Sequence, residues 1–320
     1  MMNFSHKLAL CACLTAAVLA TPRLMAQHLT LEGQTGGFIT PTAYVVYSAK
    51  GQTFSHPAVG YHFINTSKVI GKIQTFNITE GIANRFEAGY TRSVHSLGDA
   101  TSAAQLDLSS LWDYDGMNIV HGKAVLIKDG QGSPFTPGIA VGGLARFDDH
   151  FVSGAINKKL TGKDKSYTNG DVYIAVTKTW AHAPLPFLAN VGWKATNAEI
   201  FGLGGQSTRF GGGFFGGLGI PLPLVHGVVA VPAVGFTQEP RNVVNLKALL
   251  PGGTHIPTTM DYAVRITQRE HPHFSIDIGV GQVANTIGTT YVNIPGVGLV
   301  PVPVNLQARK VFGMGLSFRY

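Results

Sequence analysis

The chain is poor in charge and cysteine, and it has no long apolar run after its first residues. Asp, Glu, Lys and Arg make up 13% of its 320 residues, about half the usual share. A disordered chain has abundant charge and few apolar residues, whereas this chain is 45% hydrophobic. No apolar run of about 20 residues follows residue 26, which excludes a protein built from membrane-spanning helices. Glycine is abundant instead, with 40 residues, and this composition favours an all-β fold.

The segment 1–26 is typical of a secretory signal peptide. Lys7 precedes an apolar core from Leu8 to Ala20, and Ala26 or Ala20 provides a small residue for cleavage. The apolar core is too short to span a membrane as a helix. The sequence therefore predicts an exported protein, with a less favoured lipoprotein interpretation at Cys13.

Removal of the signal peptide determines which chemistry the mature chain can have. Cys11 and Cys13 are the two cysteines, and both lie in the signal, so thiol catalysis, disulfides and cysteine-bound metals are excluded. Without Lys7 and Arg23, the chain has 22 basic and 17 acidic residues, which gives a net charge of +5. Because no basic run stands out, we expect no nucleic-acid partner.

The dominant pattern in the mature chain is an alternation with period two. It is clear over residues 86–91, 171–177, 187–194, 260–267 and 274–281, where apolar and polar side chains alternate. Such segments are strands with two unlike faces. Twelve strands are predicted, over 58–65, 69–79, 84–94, 116–128, 137–147, 170–180, 187–196, 208–219, 226–237, 259–269, 273–284 and 307–319.

Strand and connection lengths separate a transmembrane barrel from a soluble sandwich. Many of the strands reach the length of about 9–11 residues that crosses a bilayer at a tilt, and their number is even. After the first, the odd-numbered connections between predicted strands are long, over 95–115, 148–169, 197–207, 238–258 and 285–306. The even-numbered connections are short, over 80–83, 129–136, 181–186, 220–225 and 270–272. Alternating short turns and long loops are typical of outer-membrane barrels, so we predict a transmembrane antiparallel β-barrel over residues 58–320.

The last strand carries a predicted assembly signal for the bacterial outer membrane. Five large residues alternate with small or polar ones up to the final aromatic residue: Phe312, Met314, Leu316, Phe318 and Tyr320. We therefore expect the barrel assembly machinery and outer-membrane lipid as partners, and the outer membrane as the location.

Residues 27–57 precede the first strand, and this segment is longer than a barrel needs before its first strand. Two interpretations stay open for this N-terminal segment. It could enter the lumen as a plug, or it could lie along the rim of the barrel as a tail.

Several short stretches resemble a Gram-negative family of exported β-barrel proteins known mainly as a domain of unknown function. They are Glu32-Gly33 with Gly36-Gly37, residues 137–142, 172–178, 194–198 and 201–203, and Gly235-Phe236 with 239–242. Residues 37–43 also resemble the start of barrels linked to exopolysaccharide export. The resemblance implies the barrel fold and supplies no catalytic residue.

No motif predicts a catalytic, cofactor or metal site. Residues 279–284 formally match a dinucleotide fingerprint, but no Asp or Glu follows Asp277 and no helix is expected there. His271 and His273 lie in a short turn without a third ligand. We therefore expect no cofactor and no enzyme activity, with an outer-membrane hydrolase as the least favoured alternative.

Charged residues on the polar strand faces are the candidates for lining the lumen. They are Arg85, Glu87, His121, Lys123, Asp171, Lys194, Asp261, Arg265, Asp277 and Arg319, together with His62. Two interpretations stay open for them. They could be ion pairs that fill the lumen, or they could line a pore that selects solutes.

Glycines on the same faces slightly favour the pore, because they would leave space unfilled. The leading hypothesis is a monomeric, narrow, porin-like channel or envelope transport component that passes small solutes. The alternative is a non-conducting structural or export-accessory barrel that binds an exopolysaccharide or a partner protein.

Overall fold

The computed structural model describes most of residues 27–320. The described residues are 28–67, 71–96, 116–149, 162, 166–198, 206–207, 209–239, 257–268 and 273–319. The predicted signal peptide over 1–26 and Tyr320 of the predicted assembly signal lie outside them.

Fifteen strands follow one another along the described chain. They are β1 Ala58–Ser67, β2 Gly71–Ile82, β3 Phe86–Ser96, β4 Gly116–Ile127, β5 Gly138–Asp149, β6 Tyr167–Trp180, β7 Phe187–Thr196, β8 Gly211–Gly219, β9 Leu222–Pro223, β10 Val228–Thr237, β11 Thr259–Gln268, β12 Phe274–Gln282, β13 Ala284–Ile294, β14 Gly298–Ala308 and β15 Val311–Arg319. A 3-10 turn over Val225–Gly227 precedes β10.

Twelve of these strands form a closed antiparallel barrel. The order β11-β12-β15-β1-β2-β3-β4-β5-β6-β7-β8-β10 is closed by pairing of β10 with β11. The twelve predicted strands are confirmed, and their ends agree with the structure within four residues. Period-two patterning was sufficient for most of these strands because they have one apolar and one polar face, although the Gly-rich β8 carries no polar side chain.

Three strands besides these twelve were not predicted. The two-residue strand β9 lies in a connection predicted as a turn and pairs with β10. The connection after β12, interpreted as a loop, contains the hairpin β13–β14. Residues 284–308 carry no charged side chain, and Val297 and Leu299 near the hairpin's tip are 72% and 71% exposed. The β-branched residues along both strands favour this extension, but their alternation is too irregular to stand out in the sequence.

The outer surface of the barrel is apolar. Exposed large side chains from the wall strands include Phe76, Phe86, Val172, Ile174, Ile278, Phe312 and Phe318. Their neighbours one position along each strand point inward, as the pleat requires. An apolar exterior and a polar interior are the arrangement of an outer-membrane type of barrel.

No helix among the described residues is long and apolar enough to cross a membrane.

The two ends of the barrel differ in the length of their connections. Ala58 pairs with Arg319, so the first and last barrel strands meet at one end, where the connections are short, such as 83–85 and 181–186. We call this the short-turn end. At the opposite, long-loop end, the longest connection covers 283–310. The predicted alternation of loop lengths is present in the structure.

Candidate functional site: the lumen and its plug

The lumen of the barrel contains part of the chain itself. Residues 28–48, called the plug below, are mostly buried, with none exposed, and they contact side chains of strands around the whole barrel. The plug folds back on itself through bridges between Leu29 and Thr35 and between Gly36 and Pro41. Of the two interpretations of the N-terminal segment, this placement corresponds to the plug.

An ion pair between neighbouring strands holds the plug at Thr35. Glu87 on β3 lies directly opposite Lys123 on β4, and Lys123 Nζ is 2.9 Å from Glu87 Oε1. The carboxylate accepts hydrogen bonds from the Thr35 N–H (3.0 Å), the Thr35 hydroxyl and the Val46 N–H (3.3 Å). Lys123 Nζ also donates to the Thr35 carbonyl oxygen at 2.9 Å.

A second cluster holds the plug at Glu32. Arg146 on β5 forms a bidentate pair with Asp171 on β6, with Nη1–Oδ1 and Nη2–Oδ2 distances of 3.1 and 2.9 Å. Its Nη1 also donates to Asn169 Oδ1 at 2.9 Å, and its Nε donates to Glu32 Oε1 at 2.6 Å. The arginine is fully buried, and all of these acceptors surround one guanidinium.

The third cluster includes His28, where the described part of the chain begins. Arg265 on β11 lies opposite Asp277 on β12, with Nε–Oδ1 and Nη2–Oδ2 distances of 2.9 and 3.1 Å. Arg265 also donates to the Gly36 carbonyl oxygen at 3.2 Å. His28 Nε2 lies 2.6 Å from Asp277 Oδ2. Burial, followed by the nearby Arg265, lowers the pKa of His28, and Asp277 acts in the opposite direction.

Uncharged wall side chains satisfy the plug backbone between these clusters. Such hydrogen bonds are needed because a buried backbone group without a partner is costly. The pairs are Asn77 Nδ2 to Leu31 O (3.2 Å), Thr79 Oγ1 to Gly33 O (2.6 Å), Asn190 Nδ2 to Pro41 O (2.9 Å) and Ala43 N to Thr177 Oγ1 (2.8 Å).

The plug leaves the lumen at the short-turn end. There the Tyr44 hydroxyl donates to Asp129 Oδ2 at 2.8 Å and lies 2.6 Å from the Thr179 hydroxyl. Lys178 Nζ is 2.6 Å from Asp129 Oδ1. Burial, and then the negative charge of Asp129, raises the pKa of Tyr44 well above its usual value, so Tyr44 is a neutral hydrogen-bond donor.

Some of the inward-facing glycines do not leave the space that the sequence suggested. A Cβ added to Gly313 would lie 2.7 Å from Phe38 Cζ of the plug. A Cβ at Gly89 would be too close to the ring of His121. These positions are small because the plug or a neighbouring ring occupies the space beside them.

Most of the predicted lumen residues lie inside the barrel, and two do not. Six lie deep in it: Glu87, His121, Lys123, Asp171, Arg265 and Asp277. Lys194 and Asp261 line a cavity near the long-loop end. Arg85, by contrast, lies in the turn between β2 and β3, where Nη1 donates to the carbonyl oxygens of Val125 and Leu126. Arg319 lies at the short-turn rim, 5.9 Å from the Tyr47 ring centroid.

The correction for Arg85 follows from where the strand begins. The predicted strand started at residue 84, which would have placed Arg85 and Glu87 on one face. The turn extends to Arg85, and β3 begins at Phe86. Arg85 therefore caps backbone carbonyl groups at the short-turn end instead of facing the lumen.

Sequence analysis missed several interior charges, above all Arg146 and the plug residues His28 and Glu32. Arg146 follows small or apolar residues on the same face of β5, including Ala140 and Leu144, so no polar alternation marked it. The one indication in the sequence was its position, an even number of residues from Ala140 and Leu144, which places it on the same face of the strand. Nothing in the local sequence marked His28 or Glu32, because their partners Asp277 and Arg146 lie far away in the chain.

A cavity of about 130 Å³ lies between the plug and the long-loop end. Leu31, Phe38 and Ile39 of the plug line it on one side, and Ile64 and Ile73 are among the wall residues around it. Most of the lining is apolar.

Three charged side chains of the wall and its adjoining loop also line this cavity: Lys194, Glu239 and Asp261. Glu239 is 8% exposed, and burial raises its pKa above the usual value. Among the described residues, Glu239 Oε2 and Asp261 Oδ1 are buried without a hydrogen-bond partner. In the same part of the chain, no group of three or more His, Cys, Asp or Glu side chains could hold a metal ion.

Residues 26–212 match the model of a family described as a protein of unknown function, DUF3034. This match covers more than half of the chain. No curated protein matches the sequence.

Solved structures that resemble this one include outer-membrane barrels of different activities. A KdgM porin, solved in complex with disordered oligogalacturonate, is 8% identical with a TM-score of 0.44, over 82% of this chain and 99% of that one. The NanC porin is 10% identical with a TM-score of 0.43, over 82% and 100%. LpxR from Salmonella typhimurium is 8% identical with a TM-score of 0.43, also over 82% and 100%. At these values the likeness carries no argument about activity.

Proposed function

We propose a function for this chain, which belongs to the DUF3034 family of proteins of unknown function, from the geometry of its lumen. It is an outer-membrane transport barrel that its own N-terminal plug closes, and solute passes when the plug moves. The short-turn end faces the periplasm and the long-loop end faces outward, as in other barrels of this type.

The observation that carries this proposal is that each plug-holding charge of the wall also has a partner in the wall. Glu87 pairs with Lys123, Arg146 with Asp171, and Arg265 with Asp277, each across neighbouring strands. The plug adds Glu32, His28 and backbone groups to pairs that are already formed. It can therefore leave without stranding a wall charge, which would be costly.

The polarity of the wall also favours a movable plug over a permanent filler. Replacing buried ion pairs by well-packed apolar side chains is often neutral or stabilising. A lumen that stays filled gains little from charged walls, whereas a lumen that becomes wet when the plug moves needs them. The polar contacts between plug and wall can be exchanged for contacts with water.

A disulfide that fixes the plug to the wall tests this proposal directly. An ideal Cβ at Gly138 on β5 would lie 3.5 Å from the Cβ of Ala43, within the range of about 3.5–4.5 Å found in disulfides. The predicted mature chain has no other cysteine, so Ala43→Cys with Gly138→Cys forms one defined bond. We expect single-channel openings in the reduced protein and none, or rare ones, in the oxidised protein.

Each single cysteine variant is the matched control, because it carries one substitution without the bond. Openings that respond to oxidation in the single variants would show an unrelated effect. Equal conductance of the oxidised and reduced double variant would contradict movement of the plug at Ala43.

A second candidate function is a closed export-accessory barrel that binds an exopolysaccharide or a partner protein. The uncharged hairpin β13–β14 favours it, since exposed apolar side chains at Val297 and Leu299 suit a contact surface. Such a barrel would give no openings in either redox state. An outer-membrane hydrolase is the third candidate, and no residue is assigned a catalytic role.

The assembly signal gives a prediction about the partner that inserts the barrel. Phe318 on β15 is paired with Val59 on β1, and both side chains point outward. At this depth, near the short-turn end, a charge costs only about 0–1 kcal/mol of folding stability. Phe318→Arg should nevertheless strongly reduce folded barrel in the outer membrane, because it alters the terminal strand that the assembly machinery recognises.

Val59→Arg is the matched control, with the same charge at the same depth on the neighbouring strand. The amount of heat-modifiable barrel in outer-membrane fractions measures both. Equal losses in the two variants, or none in Phe318→Arg, would show that the terminal strand carries no special signal.

A further inference from the structure

The cavity above the plug has the properties of a binding site for a small organic cation. We propose that it binds the amine or other cationic group of a ligand whose body is apolar and about the size of a benzene ring. This inference rests on the proposed function, because it names the class of solute that the barrel admits from the long-loop end.

The first argument is the size and polarity of the cavity. Its volume is about 130 Å³, close to the roughly 150 Å³ of an apolar protein cavity that binds benzene. Plug residues Leu31, Phe38 and Ile39 lie on one side and wall residues Ile64 and Ile73 on another. Such a lining favours a hydrocarbon body over a sugar or a hydrated ion.

The second argument is the pair of unsatisfied carboxylates. Glu239 accepts a hydrogen bond from the Thr259 hydroxyl at Oε1, at 3.3 Å, while its buried Oε2 has no hydrogen-bond partner among the described residues. In the same part of the chain, Asp261 Oδ1 is also buried and without a partner. A buried polar atom is normally hydrogen-bonded, so two such atoms at one cavity point to a ligand that donates hydrogen bonds.

The third argument is the charge around the cavity. Five acidic side chains, Glu32, Asp171, Glu239, Asp261 and Asp277, share this part of the lumen with three basic ones, Arg146, Lys194 and Arg265. Arg146 is engaged by Glu32 and Asp171, and Arg265 by Asp277. Lys194 lies near both Asp171 and Glu239 and attracts both. Asp261 shares Arg265 with Asp277, which holds that guanidinium in a direct ion pair, so the site favours a positively charged ligand.

A metal ion fits the site poorly. The described residues offer no group of three metal-ligating side chains, and calcium or magnesium needs about six oxygen ligands. The apolar lining cannot supply them. An organic cation needs only one or two carboxylates and an apolar contact surface.

The test compares three probes with the same ring and different charge. Benzylamine, benzyl alcohol and benzoate are titrated against the full-length mature protein in lipid nanodiscs, where no detergent tail competes for the cavity. Isothermal titration calorimetry or ligand-observed NMR gives the affinities. We expect benzylamine to bind at least tenfold more tightly than benzyl alcohol, and benzoate to bind the most weakly.

Variants then assign the binding to the cavity. Asp261→Asn with Glu239→Gln should weaken benzylamine at least tenfold and change benzyl alcohol little. Asp148→Asn, which removes an exposed carboxylate outside the cavity lining, should leave both affinities unchanged. Ala263→Leu, which adds bulk to the lining, should weaken benzylamine and benzyl alcohol alike.

Two results would overturn the inference. One is that benzoate binds to the wild-type protein as tightly as benzylamine does. This comparison does not depend on the folding of any variant. The other is wild-type benzylamine affinity in the folded Asp261→Asn and Glu239→Gln protein. Binding is measured in the closed state and needs no opening, so a failure of the disulfide test would leave this result intact.

Discussion

Replacing Arg146 with Met is expected to lower the free energy of unfolding by about 3–5 kcal/mol, since it breaks a buried ion pair from one side. The guanidinium is fully buried between Asp171 of the wall and Glu32 of the plug. Its loss strands two carboxylates, and Asn169 also loses a hydrogen bond of 2.9 Å. Urea unfolding of the refolded barrel, followed by tryptophan fluorescence, measures the change.

Matched variants distinguish the loss of the Arg146 ion-pair cluster from the general effect of removing an arginine. Arg85→Met removes a part-exposed arginine whose contacts are backbone carbonyl groups, so it should cost about 1 kcal/mol or less. Arg146→Lys keeps the charge and loses the bidentate geometry, so its cost should be intermediate. Combining Arg146→Met with Asp171→Asn and Glu32→Gln should recover much of the loss. A stability of Arg146→Met equal to that of the wild type would contradict the closed cluster.

Deletion of residues 27–48 is expected to convert a mostly closed barrel into one with long-lived conductance. The three wall pairs remain after the deletion, because each is formed between neighbouring strands. Among the described residues, only side chains of the wall would then occupy the lumen at the level of Thr35. Planar-bilayer recording should show stable openings in the deleted protein and brief or rare ones in the intact protein.

Two controls make this result interpretable. Heat-modifiable migration of the deleted protein must show that the barrel is folded. Removal of the β13–β14 hairpin over 284–308, a deletion of similar size outside the lumen, should leave conductance unchanged. A folded, plug-free barrel that never conducts would refute the transport proposal and favour the closed accessory barrel.

Local sequence was sufficient for most of the barrel wall because most wall strands encode their own two faces. The alternation along β3 or β12 requires no knowledge of the neighbouring strand, since the pleat alone sends successive side chains to opposite faces. The same alternation selected Lys123, Asp171 and Asp277 as inward residues. It failed at Arg85, where the turn extends further than predicted and changes the position of a single side chain.

The interior could not be predicted in the same way, because its contacts join residues that are far apart in the chain. His28 meets Asp277 and Glu32 meets Arg146, and no local periodicity connects them. The glycines of the inner face show the same limit. A side chain at position 313 would collide with Phe38 of the plug. From the sequence alone, the glycine was interpreted as leaving unfilled space in the lumen.

The sequence by itself determined that this protein is all-β and closed into twelve strands with short turns at one end, and it predicted export. Those properties follow from composition and from a period of two residues. Only the tertiary structure decided that the lumen is plugged, that its charges are paired across strands, and that Glu239 and Asp261 meet at one apolar cavity. Closure of the barrel places the first described residues against nearly every strand, and that proximity arises only when the last strand pairs with the first.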